Sequence, residues 1–178
     1  DPQAVYLQVL DWPLNRAPLA VSLAADDTPA PKVGEWKHDG RGWWYRYEDG
    51  SYPAGTAVMI DGTTYRFDAS GYMRTGWVNE GGQWFYHASS GAQVSGWVYS
   101  GVHWYYMSPA TGAMATGWVQ VGSTWYYLSP ATGAMHSGWL QEGGHWYYLD
   151  RSSGAMVTGW VKIYWKWYHF ADNGQLID

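Results

Sequence analysis

The chain has no cysteine, only three phenylalanines in 178 residues, no run of 18 apolar residues and no cluster of Lys and Arg. Each absence removes a class of protein. Without cysteine there is neither a disulfide framework nor a thiolate metal site. Without a long apolar run there is no transmembrane helix. With 15 acidic against 10 basic residues the net charge is −5, so an anionic polymer backbone is mildly repelled and nucleic acid is not an expected partner. The six histidines form no HxH or HExxH arrangement, and GxSxG and GxxxxGK are missing. The carboxylates Asp39, Asp49, Asp61, Glu80 and Glu142 are scattered over turns. No spacing therefore selects a catalytic pair, a metal site or a cofactor, and an enzyme is the least supported class.

What the chain has in excess is tryptophan and tyrosine, 15 and 16 residues respectively. Trp77, Trp97, Trp118, Trp139 and Trp160 each follow a glycine, and each is followed seven residues later by a second tryptophan: Trp84, Trp104, Trp125, Trp146 and Trp167. A fixed period in the low twenties predicts a stacked repeat fold whose unit cannot bury its apolar face alone. The clearest unit runs from Thr116 to Met135 as TGWVQVGSTWYYLSPATGAM. Trp118, Val119 and Val121 are strand formers, Gly122 and Ser123 form a turn, and Trp125 to Leu128 make a second strand. SPATGAM is a loop, and so short a unit has no room for an ordinary helix. The predicted fold is all-β, a solenoid of β-hairpins with essentially no helix.

Two worn copies precede the clear ones. Trp36 with Trp43, Trp44 and Tyr45 makes the first. The second has Ala57 and Thr64 where its tryptophans should be, but keeps Gly55, Tyr65, Phe67, Gly71 and Met73. Seven tandem units thus span residues 34–178, the second degenerate. Asp39-Gly40 and Asp61-Gly62 fall where type I′ turns are expected. Residues 1–33 differ in kind: an apolar, proline-interrupted arm, with a candidate strand from Val5 to Leu10, leads into an Ala/Pro/Asp linker. The arm either packs on the first repeat or adds a strand to another chain. The chain begins at Asp1 without a signal peptide, which leaves a removed leader or a larger parent protein open.

Side chains alternate along a strand, so Trp125 and Tyr127 face one way and Tyr126 and Leu128 the other. Leu128, with Leu149, Met107, Phe67 and Phe170 at the same position, marks the interior. Trp125, Tyr127 and their equivalents are then expected to face outward or into the groove between hairpins. Two indoles from one unit and a tyrosine from the next would form a three-walled box that attracts a cation, a quaternary ammonium above all. The competing reading makes these rings a plain core. It suits Tyr126 and Leu128 but not the surplus of tryptophan, because aliphatic residues fill a core without an indole N–H to satisfy. His103 and His145 share a repeat position with Gln83, Thr124 and Lys166, as a variable surface site would.

The strings TGWVQVGSTWYYLSPATGAM, SGWLQEGGHWYYLDRSSGAM and TGWVNEGGQWFYHASSGAQ resemble the choline-binding, or cell-wall-binding, repeats of secreted Gram-positive and phage proteins. The resemblance covers Gly34 to Asp178. It implies a left-handed solenoid in which choline sits between successive hairpins, held by two Trp and one Tyr, often near a Met. Carried over position by position, it implies sites at Trp77, Trp84 and Tyr106, at Trp97, Trp104 and Tyr127, and at Trp118, Trp125 and Tyr148, with Met114 and Met135 as fourth walls. Trp139 and Trp146 would meet His169, a poorer wall for a cation. The resemblance implies a noncatalytic module that is secreted and anchors at the cell wall or cell surface to choline on teichoic or lipoteichoic acid. Related repeats bind glucan, which stays open as a ligand. A structural subunit that self-associates through its arm and solenoid ends is a third reading.

Overall fold

A computed structural model describes residues 32–177. The N-terminal arm expected over residues 1–33, with its candidate strand, lies outside the described residues apart from its last two positions. From there on the chain forms seven antiparallel hairpins: β1 (Gly34–Asp39) with β2 (Gly42–Tyr47), β3 (Ala57–Ile60) with β4 (Thr63–Arg66), β5 (Gly76–Glu80) with β6 (Gln83–His87), β7 (Gly96–Ser100) with β8 (His103–Met107), β9 (Gly117–Val121) with β10 (Thr124–Leu128), β11 (Gly138–Glu142) with β12 (His145–Leu149), and β13 (Gly159–Ile163) with β14 (Lys166–Phe170). No helix occurs among the described residues. The fold is the all-β repeat solenoid that the tryptophan period predicts.

Each hairpin turns on two residues. Asp61-Gly62 is a type I′ turn as expected, with φ of 49° and 76° at its two central residues. The other expected I′ turn is shifted. Asp39 pairs with Gly42, so Gly40-Arg41 are the central residues, and neither has a positive φ. A D-G dipeptide signals such a turn only when both residues fall between the last paired positions, and here the strand runs one residue further than its composition suggests.

Every sheet has two strands, so no β-ladder joins one hairpin to the next. An isolated hairpin is marginal in water, and the stack must supply the stability. The loop after each hairpin makes the connection. In the loop after β10, Ser129 and His136 donate to Ala134 and Tyr127, folding the loop on its own hairpin, while the N–H of Met135 between them reaches back to the Trp104 carbonyl of β8 at 2.8 Å. Met73, Met114, Met156 and Leu176 do the same to Trp43, Trp84, Trp125 and Trp146 at 2.7–2.8 Å.

The glycine two residues before each such methionine has its own reason. Gly133 has φ 74°, and a Cβ built there would fall on the Met114 sulfur, from the loop of the repeat before. Gly154 and Gly174 stand against Met135 and Met156 in the same way. The Gly-Ala-Met signature is therefore an interlock: Gly133 and Gly154 leave room for the methionine of the preceding repeat, and Gly112 leaves room for Gln93 at the same position. Gly122, a turn glycine with φ 63°, faces open space. Gly122→Ala should cost only the left-handed backbone penalty, about 1 kcal/mol. Gly133→Ala should cost about 1–3 kcal/mol more, through overpacking against Met114. Urea unfolding of the two variants checks the difference, and equal losses would remove the interlock.

The faces of a hairpin have distinct roles. In β9–β10, Trp118 pairs with Tyr127 and Gln120 with Trp125 on one face, and Val119 pairs with Tyr126 and Gly117 with Leu128 on the other. The tryptophan face of one hairpin packs on the opposite face of its successor: Trp118 meets Tyr147, and Trp139 meets Tyr168. The core is accordingly spread along the stack, as where Tyr148 packs with Ile163 and Phe170 of the following hairpin. Leu128, Leu149, Met107, Phe67 and Phe170 are interior as expected, none more than 3% exposed. Tyr127, expected to face outward or into the groove between hairpins, lies beside Trp118 on the face toward the next hairpin and is buried there. Alternation divides a strand into inside and outside only when one face meets solvent, and here both faces are covered by neighbours.

Candidate functional site

Five junctions carry the same ring geometry. Trp36, Trp77, Trp97, Trp118 and Trp139 each stand edge-to-face with a tyrosine of the next hairpin, Tyr65, Tyr105, Tyr126, Tyr147 and Tyr168, with centroids 4.8–4.9 Å apart. On the other side each contacts the paired tyrosine of its own hairpin, Tyr45, Tyr86, Tyr106, Tyr127 or Tyr148, at 5.0–5.2 Å. The second tryptophan stands nearly perpendicular to the first, at 6.1–6.5 Å for Trp84, Trp104 and Trp146. The second tryptophans Trp43, Trp84, Trp104, Trp125 and Trp146 are 38–48% exposed, so each junction opens to solvent beside an indole.

Three of these junctions enclose cavities of about 600, 350 and 420 Å³. The first is walled by Trp77, Trp84, Tyr105 and Met114, the second by Trp118, Trp125, Tyr147 and Met156, the third by Trp36, Trp43, Tyr65 and Met73. Each is closed by the loop of one more repeat: Pro130 to Thr132, Asn173, and Ser89 with Ser90. A cavity is thus assembled from three consecutive repeats. Trp97, Trp104 and Tyr126 form the equivalent ring set with Met135 tied to Trp104, and Trp139, Trp146 and Tyr168 do so with Leu176 tied to Trp146.

The paired tryptophans named from the sequence come together, and Met114 lies at the first named pair and Met135 at the second. The tyrosines do not. Tyr106, Tyr127 and Tyr148 are buried against the first tryptophan of their own hairpins. The Tyr127 hydroxyl donates to Glu142 at 3.1 Å, and burial first, then that carboxylate, holds its pKa above the ordinary value of 10.0. The ring that meets the preceding tryptophan is in each case one residue earlier: Tyr105, Tyr126, Tyr147. For Trp139 it is Tyr168, whereas the expected His169 stacks in parallel on Trp160 at 4.5 Å. The reason is the head-to-tail stack. Units related by one repeated operation meet front to back, so the successor contributes a ring from the face opposite its own tryptophans. Alternation already places Tyr105, Tyr126 and Tyr147 on that opposite face, though it does not say which faces meet. The Trp36 and Trp43 junction, with Tyr65 and Met73, was also missed, because the worn second repeat lacks tryptophan yet still supplies the two walls its predecessor needs.

Comparison with known proteins accords with this geometry. The choline-binding repeat model matches residues 74–117 and 115–158, and the cell wall binding repeat model matches residues 58–73 and 158–176. The chain belongs to the choline-binding repeat family. Among solved structures it is similar to CbpJ from Streptococcus pneumoniae, with 38% identity and a TM-score of 0.76 over 81% of this chain and 52% of that one. It is similar to choline-binding protein F from S. pneumoniae, determined in the presence of a peptidoglycan analogue, with 36% identity and a TM-score of 0.74 over 81% and 52%. It also resembles the modular autolysin LytC of S. pneumoniae, with 30% identity and a TM-score of 0.66 over 82% and 33%. The chain spans about half the length of the first two. No curated protein sequence matches it.

Within this array of repeats one junction departs from the rest. Between the second and third hairpins Ala57 and Thr64 replace both tryptophans, and Arg66 lies buried at the joint with its guanidinium carbon 3.4 Å from the Phe85 ring centroid. Its Nε donates to Glu80 at 2.9 Å and its Nη1 to the Gln93 side-chain oxygen. His87, also buried, has Nδ1 2.7 Å from the Gly91 carbonyl and Nε2 3.3 Å from Arg66 Nη1. A neutral ring suits both contacts, with Nδ1–H donating to Gly91 and Nε2 accepting from Arg66.

Burial is the main cause that lowers the pKa of His87 below its ordinary 6.5; Arg66 and Arg74 lower it further, while the Gly91 carbonyl and Glu80 oppose them. A histidine with a depressed folded pKa binds fewer protons folded than unfolded, so its contribution is intact above about pH 6.5 and is lost as pH falls through the folded value. The melting temperature should therefore decline from pH 7 towards pH 5. In His87→Met, which matches Met107 of the next repeat, that slope should flatten. Thermal melts across this range check it, and an unchanged slope would show that His87 does not set it.

Proposed function

We propose that the chain is a noncatalytic module that retains choline-bearing cell-wall polymer through the aromatic cages between its hairpins. The observation that carries this reading is the chemistry of the walls. The three cavities are lined by indole, phenol and thioether groups with neutral residues, Gln83 of β6 and small loop residues among them, and none has a charged residue in its lining. A strongly hydrated ammonium would need a carboxylate or several acceptors there. A trimethylammonium head is weakly hydrated, makes apolar contacts through its methyl groups and is attracted by ring faces, at about 0.5–2 kcal/mol for each such contact. Five similar weak sites along one stack would act together on a polymer that carries many copies of the ligand. The likeness to pneumococcal choline-binding proteins, one of them determined in the presence of a peptidoglycan analogue, supports a place at the bacterial cell surface, on choline of teichoic or lipoteichoic acid.

Choline and tetramethylammonium should quench or shift tryptophan emission and raise the melting temperature, and titration calorimetry should count five sites. Ammonium ion and isomalto-oligosaccharide should do neither, and heat with the glucan alone would reverse the reading.

The tyrosine assignment has its own test. Tyr105→Ala removes a wall of the Trp77 cage, so it should weaken one site by about 0.5–2 kcal/mol while lowering apo stability less than Tyr106→Ala does, because Tyr105 is only half-buried. Tyr106→Ala empties a buried position and should destabilise the apo protein by about 3–5 kcal/mol. Calorimetry and urea melts of the two variants separate the roles, and the opposite pattern would restore Tyr106 as the cage wall.

A further inference from the structure

The second junction departs from its neighbours at five positions together, and three of them, Arg66, His87 and Gln93, are joined by hydrogen bonds. Ala57 and Thr64 stand at the two tryptophan positions, Arg66 at the position of Tyr86 and Tyr106, His87 at that of Met107 and Leu128, and Gln93 at that of Met114 and Met135. Loss of two indoles alone would leave a void. Instead Arg66 is only 6% exposed, its guanidinium lies over the Phe85 ring, and Glu80, Gln93 and His87 surround its nitrogens. Phe85 is the counterpart of Tyr105 and Tyr126, the successor rings of the cages. Gln93 is the counterpart of the wall methionine, and its N–H still donates to the Thr64 carbonyl at 2.9 Å. The backbone frame of a cage is thus kept, while its walls have changed from aromatic and apolar to polar acceptors suited to a guanidinium.

We propose that Arg66 is a built-in occupant of this junction: the chain's own cation stands where the other junctions would take a free one, closing the joint to ligand and holding it in the ligand-free protein. The description as an occupant rests on the cation reading of the other cages; the locking role does not. The consequence concerns the polymer. The isolated cage at Trp36 and Trp43 would be held in register with the run of cages from Trp77 onward before any ligand arrives, so less ordering remains to be done on multivalent binding.

Amide hydrogen exchange on the full chain tests this at single residues. The Gln93 amide should be equally protected with and without choline, whereas the amides of Met114, Met135 and Met156, which donate to Trp84, Trp104 and Trp125, should gain at least 3-fold in protection when choline binds. In Arg66→Ala the Gln93 amide should exchange at least 10-fold faster, and millimolar methylguanidinium, but not choline, should restore it. Arg66→Lys, which keeps the charge without the fork, should fall between wild type and Arg66→Ala and serves if the alanine variant does not fold. Choline protecting Gln93 in the wild type, or Gln93 exchange indifferent to both substitutions, would overturn the proposal. If choline leaves Met114, Met135 and Met156 unprotected, the ligand reading and the occupant description fail together. The substitution and methylguanidinium results would then decide the lock by themselves.

Discussion

The contact on which the stack depends is the edge-to-face meeting of a hairpin's first tryptophan with a ring of the next hairpin, repeated at 4.8–4.9 Å across five junctions. Hairpins this short have no ladder partner and few aliphatic side chains, so ring surface must replace both. An aromatic pair in this geometry contributes about 0.5–1.5 kcal/mol beyond the area it buries. The sum over many junctions, rather than any single core, holds the array. The two tryptophans of a repeat divide their duties accordingly. The first is wedged between two tyrosines, while the second stands apart from that contact and leaves part of its face open.

Structure and site are therefore one arrangement. The gap beside the second tryptophan exists because the successor hairpin supplies one ring and one methionine and no more. The methionine cannot drift, since its N–H is tied to the carbonyl of the second tryptophan and its thioether is seated against a glycine of the following loop. A ligand entering such a gap would touch three repeats at once and would tighten the same contacts that hold the stack. Ligand binding and solenoid stability would then be coupled through mass action on the folded state.

The second junction shows the same frame with different chemistry. With indoles, an uncharged box results; with Arg66, Glu80, His87 and Gln93, the polar groups satisfy one another beside a cavity of about 480 Å³ lined by Arg66, Arg74, Asp68 and Glu80, and no buried side-chain N or O among the described residues lacks a partner. Satisfying a buried guanidinium takes several acceptors at once, which accounts for the departures clustering in one place instead of being scattered along the chain.

Period, glycine placement and strand alternation settled a great deal in advance: seven units, hairpins without helix, the pairing of Trp77 with Trp84 and its equivalents, and the interior place of Leu128 and Leu149. These are local properties, carried by neighbours within one repeat. The partner across a junction is not local. Choosing Tyr105 over Tyr106, or Tyr168 over His169, requires knowing that the front of one hairpin meets the back of the next, and the alternation pattern assigns faces without saying which faces meet. Gly133 likewise looks like any turn glycine until Met114, nineteen residues earlier, is seen against it. Arg66 carries no signal of its role in the sequence, because its acceptors lie on the following hairpin and loop and only the stacked structure brings them around it. The sequence by itself determined the unit and its inventory of rings; the front-to-back contact between units decided which rings form a cage and which form the core.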